Sequence, residues 1–123
     1  MSILNRHKKA LNGSKVLVLG VAYKNDIDDY RESPAIDVIE ILKRNGAETD
    51  FYDPYIPAFR ENGKEYKGID KIDEKRIGEY DRVVITAAHT VIDYDMVQKN
   101  AKAIFDTRNA MKDIACRENI EVL

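Results

Sequence analysis

The fold of this chain is decided by the stretch Lys15-Val16-Leu17-Val18-Leu19-Gly20-Val21. It is a nearly continuous apolar run, without the alternation expected of a strand that has one face in water. Such a run is typical of a central strand in a parallel sheet, which is buried on both faces. The next element is predicted to be a helix that begins at Ser33-Pro34, a typical N-cap and first helical residue, and ends at Asn45-Gly46.

The rest of the chain alternates strands and helices in the same way. Further strands are predicted at residues 48–52, 82–86, 103–106 and 120–122, and helices at 73–80, 94–100 and 109–117. The stretch 54–70 is predicted to be a loop that ends in a short edge strand at 66–70. This order and spacing indicate an α/β fold with a doubly wound, mostly parallel sheet and helices on both faces.

Composition and charge exclude several classes of function. The chain has 123 residues, of which 20 are basic and 22 acidic, so it has no bulk positive field for nucleic acid or an anionic membrane. Its single cysteine, Cys116, allows no internal disulfide and suits a reducing compartment. The start has no signal-peptide pattern, and no apolar run is long enough for a membrane span. We therefore expect a soluble, cytoplasmic protein.

Three cations are predicted to gather at one edge of the sheet. Right-handed crossovers bring the segments that follow parallel strands to the same edge, where ligands of such folds bind. Lys24, Arg31 and Arg108 lie in these segments. Lysine binds phosphate as a point charge and arginine through two hydrogen bonds, and the N-terminus of the helix at Pro34 adds free N–H groups. The sequence therefore predicts an anionic ligand at this edge.

The first turn argues against a dinucleotide as that ligand. A dinucleotide-binding domain carries G-x-G-x-x-G between its first strand and helix, so that the backbone can approach the pyrophosphate. Here Gly20 stands alone, and a long loop precedes the helix. We therefore expect that this chain does not itself bind NAD.

Two sequence motifs resemble a known family. They are GSKVLVLGVAYK at residues 13–24 and DDYRESPA at residues 28–35. They resemble the C-terminal domain of the UDP-glucose/GDP-mannose dehydrogenase family, in which a strand ends G-x-A-[FY]-K and D-D-x-R-E-S-P-A opens a helix. The segments 52–54 and 105–109 match two further family blocks in the right order. Other details, such as Ile92-Asp93-Tyr94, look most like the UDP-N-acetylglucosamine or UDP-N-acetylmannosamine dehydrogenase branch.

The resemblance implies an oxidoreductase that converts the C6 alcohol of a UDP-sugar to a carboxylate with two NAD, for polysaccharide precursors. In such enzymes an N-terminal domain holds NAD, a central helix carries the homodimer contacts, and the C-terminal domain binds the nucleotide part of the substrate. Residues 1–12 are then expected to be a remnant of the central linker helix, and residues 13–123 the nucleotide-sugar-binding domain. Because the catalytic cysteine of the family lies outside this domain, the chain alone is expected to be inactive.

By the same resemblance, a set of five residues is expected to line the UDP-sugar site: Tyr23, Lys24, Arg31, His89 and Arg108. The residues themselves leave alternatives open for the two arginines. Arg31 has Asp28 and Asp29 as possible structural ion-pair partners, and Arg108 has Asp106. An arginine held in such a pair would stabilise the edge of the sheet instead of binding substrate.

Three further residues have a structural interpretation beside a functional one. His89 either hydrogen-bonds the ligand or caps the helix that follows it. Asp53 either touches a ribose, as acids after a second strand can, or caps the end of its strand. Cys116 is predicted to be a small core residue, because reactive cysteines lie at helix N-termini or near cations.

Two other classes of function are compatible with the fold. The first is a stand-alone regulatory or interaction module, such as a signalling receiver domain, but receivers need an acidic pair directly after strand one, where this chain has Lys24. The second is a cation site at Asp26, Asp28 and Asp29, whose carboxylates are suitable oxygen ligands. No glycine turn or further ligand spacing accompanies these acids, so no metal is expected.

Overall fold

The structure is a computed structural model that describes residues 13–21, 34–61, 63–89, 91–108, 110–111, 114 and 119–122. Several predictions fall outside these ranges. They concern the helix at residues 2–11, the N-cap Ser33, the acidic loop 26–29, Cys116 and most of the helix at 109–117.

Seven strands and three helices lie within the described ranges. In chain order they are β1 (Lys15–Leu19), α1 (Pro34–Arg44), β2 (Glu48–Tyr52), β3 (Ala58–Glu61), β4 (Lys64–Lys67), α2 (Glu74–Gly78), β5 (Arg82–Ile85), α3 (Tyr94–Asn100), β6 (Ile104–Asp106) and β7 (Ile120–Val122). Five of the strands form a parallel sheet in the order β2-β1-β5-β6-β7. The predicted parallel sheet, with its first strand in the interior, is therefore confirmed.

Alternate residues of β1 belong to two separate cores, one on each face of the sheet. Val16 and Val18 are fully buried in a cluster that includes Leu42 of α1. Leu17 and Leu19 are fully buried in the opposite cluster, which includes residues of α2 and α3. Both faces are therefore covered by helices, as predicted, and this is why β1 is apolar at every position from Val16 to Leu19.

The two short helices begin at aspartates that act as N-caps. The Asp73 side chain accepts a hydrogen bond from the backbone N–H of Arg76 at 2.7 Å. The Asp93 side chain accepts one from the N–H of Met96 at 3.1 Å. Each carboxylate pairs an N–H group that has no partner within the helix, so the caps fix where α2 and α3 start.

The predicted edge strand at residues 66–70 is wrong. The strand is Lys64–Lys67, and it pairs antiparallel with β3 in a separate two-stranded hairpin instead of joining the main sheet. Gly63 turns this hairpin with a φ of +77°. Phe59 stacks on Tyr66 with ring centroids 4.9 Å apart and lies 5.1 Å from Phe51. These aromatic contacts hold the hairpin against the α1 face of the sheet.

Gly20 ends β1 at a point where a side chain does not fit. Its φ is +86°, and a Cβ on it would lie 2.6 Å from the Cβ and 2.7 Å from the carbonyl oxygen of Ala87. Gly13 has a similar φ of +82°, but nothing lies within 4 Å of its Cβ position. Substitutions at the two glycines can therefore be compared to separate the effect of backbone conformation on stability from the effect of close packing.

We predict that Gly20→Ala lowers the free energy of unfolding by about 2–4 kcal/mol, from backbone strain and overpacking together. Gly13→Ala is the control and is expected to cost about 1–2 kcal/mol, from backbone strain alone. Urea denaturation of both variants measures the difference. Equal losses would show that the contact with Ala87 does not constrain the end of β1.

The phenol of Tyr80 links the segment after α2 to β2. Tyr80 is buried, and its hydroxyl donates to Asp50 Oδ2 at 2.7 Å. Burial raises the pKa of Tyr80 above its ordinary value, and the hydrogen bond to Asp50 adds to this, while Arg76 opposes it. The neutral phenol is therefore favoured in the folded state.

This pKa shift predicts a loss of stability in alkali. The contribution of Tyr80 is complete below its unfolded pKa of about 10 and is lost as the pH rises from there towards the raised folded value. The free energy of unfolding of the wild type should therefore fall more steeply above about pH 10 than that of Tyr80→Phe. Urea denaturation across this pH range tests it, and parallel curves for the two proteins would contradict it.

Candidate functional site

The carboxyl ends of four neighbouring parallel strands meet at one edge of the sheet, which we call the carboxyl edge. It consists of residues 20–21 after β1, Asp53 after β2, residues 86–89 after β5 and residues 107–108 after β6. The chain passes from β1 to β2 on one side and later to β5 on the other, so the connections after β1 and β5 leave towards opposite faces. Ligands of open α/β sheets bind at such a switch point.

Asp53 is a buried carboxylate that joins the ends of two strands. Its Oδ2 accepts a hydrogen bond from the backbone N–H of Val21 at 2.8 Å, and its Oδ1 accepts one from the N–H of Tyr55 at 2.8 Å. Only 4% of the residue is exposed. Of the two roles considered for Asp53, the structure shows the one at the strand end.

His89 crosses above β1 to reach Asp53. Its Nε2 lies 2.8 Å from Asp53 Oδ2, and the ring has no exposed surface. The ring of Tyr55 meets the imidazole edge-on, with centroids 4.9 Å apart. The helix after His89 is capped by Asp93, so capping α3 is not the role of the imidazole.

Two threonines hold the same edge and were not singled out from the sequence. The Thr86 hydroxyl donates to the carbonyl oxygen of Gly20, and the Thr86 N–H donates to that of Leu19 at 2.9 Å. The Thr107 hydroxyl donates to the carbonyl oxygen of Ile85 at 2.6 Å. Thr86 is the last residue of one predicted strand and Thr107 immediately follows another, and this position is the only signal that the sequence offered.

Arg108 is held at the end of β6 by its neighbours. Its backbone N–H donates to Asp106 Oδ1 at 3.0 Å, and its side-chain Nε donates to the carbonyl oxygen of Thr86 at 3.1 Å. The residue is exposed. Among the residues that the structure describes, no ion pair involves Arg108. The structural alternative, a pair with Asp106, is therefore not what holds this side chain.

Asp106 instead binds backbone groups. Its carboxylate is fully buried and accepts hydrogen bonds from the N–H groups of Arg108 and Ala110, each at 3.0 Å, and of Met111 at 2.7 Å. Three donors on one carboxylate fold the chain sharply after β6. This turn sets the position of Arg108 at the carboxyl edge.

The structure brings His89 and Arg108 to the same edge, on either side of Thr86. Tyr23, Lys24 and Arg31 lie outside the described residues, although Val21, which Asp53 binds, leads directly into their segment. The described residues contain no group of His, Cys, Asp or Glu that is suited to a metal. Their helices are also too short and too polar to cross a bilayer.

We predict that Asp106→Asn lowers the free energy of unfolding by about 2–3 kcal/mol, because an amide cannot accept from N–H donors on both sides. Asp93→Asn is the matched control and should change it by less than about 0.5 kcal/mol, since asparagine is an equally good N-cap. Thermal or urea denaturation compares the two. A small effect at Asp106 would mean that its three hydrogen bonds do not define the turn.

The fold and the polar carboxyl edge define a doubly wound α/β domain with the arginine Arg108 held at that edge. The model of the UDP-glucose/GDP-mannose dehydrogenase family, UDP binding domain, matches residues 17–113, and the chain belongs to this family. The resemblance found in the sequence motifs is therefore confirmed.

Two curated relatives are nucleotide-sugar dehydrogenases. The chain is 32% identical over 120 residues to the UDP-N-acetyl-D-mannosamine dehydrogenase of Methanococcus maripaludis. This match covers 90% of the chain and 26% of the relative. The chain is also 34% identical over 84 residues to the UDP-N-acetyl-D-glucosamine 6-dehydrogenase of Salmonella typhi. That match covers 67% of the chain and 19% of the relative. The chain thus spans about a quarter of the length of these relatives or less.

Solved structures agree with this assignment. A UDP-D-ManNAc dehydrogenase from Pyrococcus horikoshii matches with a TM-score of 0.72 and 27% identity, over 97% of this chain and 27% of that one. An NDP-N-acetyl-D-galactosaminuronic acid dehydrogenase from Methanosarcina mazei matches with a TM-score of 0.70 and 26% identity, over 98% of this chain and 26% of that one. The described fold is therefore that of one part of these longer proteins.

Proposed function

We propose that this chain is the UDP-sugar-binding domain of an NAD-dependent nucleotide-sugar 6-dehydrogenase. The whole enzyme oxidises the C6 alcohol of a UDP-N-acetylhexosamine or UDP-glucose to a carboxylate, for polysaccharide precursors. The family match and the names of the two curated relatives support this class of substrate. The chain supplies the site for the nucleotide part of the substrate.

Arg108 is the observation that carries this proposal. It is an exposed arginine fixed through two hydrogen bonds at the carboxyl edge, where the fold binds ligands. Because Nε is bound to Thr86, little side-chain freedom remains to be lost on binding. A guanidinium held in this way is suited to the phosphate groups of a nucleotide.

Four other residues belong to the proposed site. Tyr23, Lys24 and Arg31 are carried by the G-x-A-[FY]-K and D-D-x-R-E-S-P-A motifs, and the segment that bears them starts at Val21. Lys24 is proposed to pair with the phosphates, together with Arg108. His89 completes the set, but its burial argues for a role other than direct contact, which is taken up below.

NAD is proposed to bind to another part of the longer protein. Gly20, the one glycine of the first turn, leaves room for Ala87 and not for a pyrophosphate, because the backbone of Ala87 fills its Cβ position. The part of the relatives' length that this chain does not match is proposed to supply the N-terminal NAD domain, the catalytic cysteine and the homodimer contacts. The chain alone is accordingly proposed to bind UDP-sugar without oxidising it.

Calorimetric titration with UDP tests the role of Arg108. Arg108→Ala is expected to weaken the affinity for UDP about tenfold or more, since it removes charge-assisted hydrogen bonds to phosphate. Arg60→Ala is the control, because Arg60 is an exposed arginine on the β3–β4 hairpin, and its affinity should stay within about twofold of the wild type. An unchanged affinity in Arg108→Ala would remove this residue from the site.

A further inference from the structure

We propose that His89 is a positioning residue of the carboxyl edge and does not itself touch the ligand. Its imidazole holds the carboxylate of Asp53, and that carboxylate fixes the N–H of Val21, where the segment with Tyr23 and Lys24 begins. The identity of the ligand rests on the function proposed above. The positioning itself rests only on the geometry of these three residues.

The geometry places the pair of Asp53 and His89 across the end of β1. Asp53 follows β2 and His89 follows β5, and these two strands flank β1 on its two sides. The Nε2–Oδ2 distance is 2.8 Å and the Oδ2–N distance to Val21 is 2.8 Å, so one oxygen of Asp53 is the shared partner of both groups. The ends of β2, β1 and β5 are therefore tied together at Asp53 Oδ2.

Burial makes this arrangement sensitive to the loss of any donor. Asp53 and His89 have 4% and 0% of their surface exposed, and a buried carboxylate needs hydrogen bonds to replace its water. Without the imidazole, Oδ2 would have to turn towards another donor or admit water. Either change alters the hydrogen bond to Val21 and moves the start of the segment that carries Lys24.

The packing around the imidazole argues against direct contact with a ligand. Tyr55 covers the ring edge-on at 4.9 Å, and Ile92 and Tyr94 donate to the His89 carbonyl oxygen. Arg108 approaches the same loop from β6 through its bond to Thr86. His89 thus lies buried inside the carboxyl edge and affects the ligand through the residues that it holds in place.

Three variants of the 123-residue chain test this. His89→Leu removes the donor, His89→Gln keeps an N–H donor at similar reach, and Leu42→Val lowers stability in α1 without touching the edge. We expect His89→Leu to weaken the affinity for UDP about tenfold, His89→Gln to stay within about threefold of the wild type, and Leu42→Val to leave the affinity unchanged. In amide NMR spectra, the Val21 and Lys24 signals should move in His89→Leu and return in His89→Gln.

Other results of these measurements would indicate a contact role for His89, a purely structural role, or failure of the proposed function. If His89→Gln binds UDP as weakly as His89→Leu while the Val21 signal stays in place, His89 is a contact residue and the proposal is overturned. If His89→Leu is unstable but binds UDP normally, its role is only structural, which also overturns it. If the wild type binds no UDP, the proposed function fails for this chain, and the Val21 and Lys24 signals alone decide whether His89 positions this segment.

Discussion

The structure depends on how the backbone N–H and C=O groups at the buried end of β1 find hydrogen-bond partners. Because β1 is covered on both faces, the backbone groups at its end cannot be left to water and need partners from neighbouring strands. Asp53 supplies the acceptor for the Val21 N–H, and Thr86 binds the carbonyl oxygens of Gly20 and Leu19. Gly20 has no side chain in the way, so the loop after β5 can approach closely enough to do this.

Further hydrogen bonds at this edge hold Arg108. They fix the chain at the end of each strand, and they place Arg108 beside Thr86 with its residue exposed. A ligand then meets a rigid framework, with flexible contacts confined to the side chains that reach it. Under the function proposed above, the ligand is the nucleotide part of a UDP-sugar, and this framework holds the residues proposed to bind it.

Much of the fold followed from the sequence, because its signals are local. The apolar run of β1, the start of α1 at Pro34 and the regular spacing of strands predicted the parallel sheet and its first helix correctly. The β3–β4 hairpin did not follow, because its strands have four residues each and depend on the packing of Phe59 against Tyr66 and Phe51. The placement of two candidate residues at the carboxyl edge could be predicted for the same reason. Residue type and position in the sequence were enough to predict that His89 and Arg108 lie at the edge. Only the three-dimensional contacts show that His89 is buried against Asp53 while Arg108 is exposed.

The most direct test is a two-dimensional amide NMR titration of the chain with UDP, UDP-N-acetylglucosamine, GDP and NAD up to millimolar ligand. The account predicts that the uridine compounds shift signals at the carboxyl edge, in residues 21–24, 86–89 and 107–108, while NAD leaves them unchanged. Shifts confined to another surface, such as the groove between α1 and β4 near Lys43 and Lys64, would contradict it, as would binding of NAD at this edge.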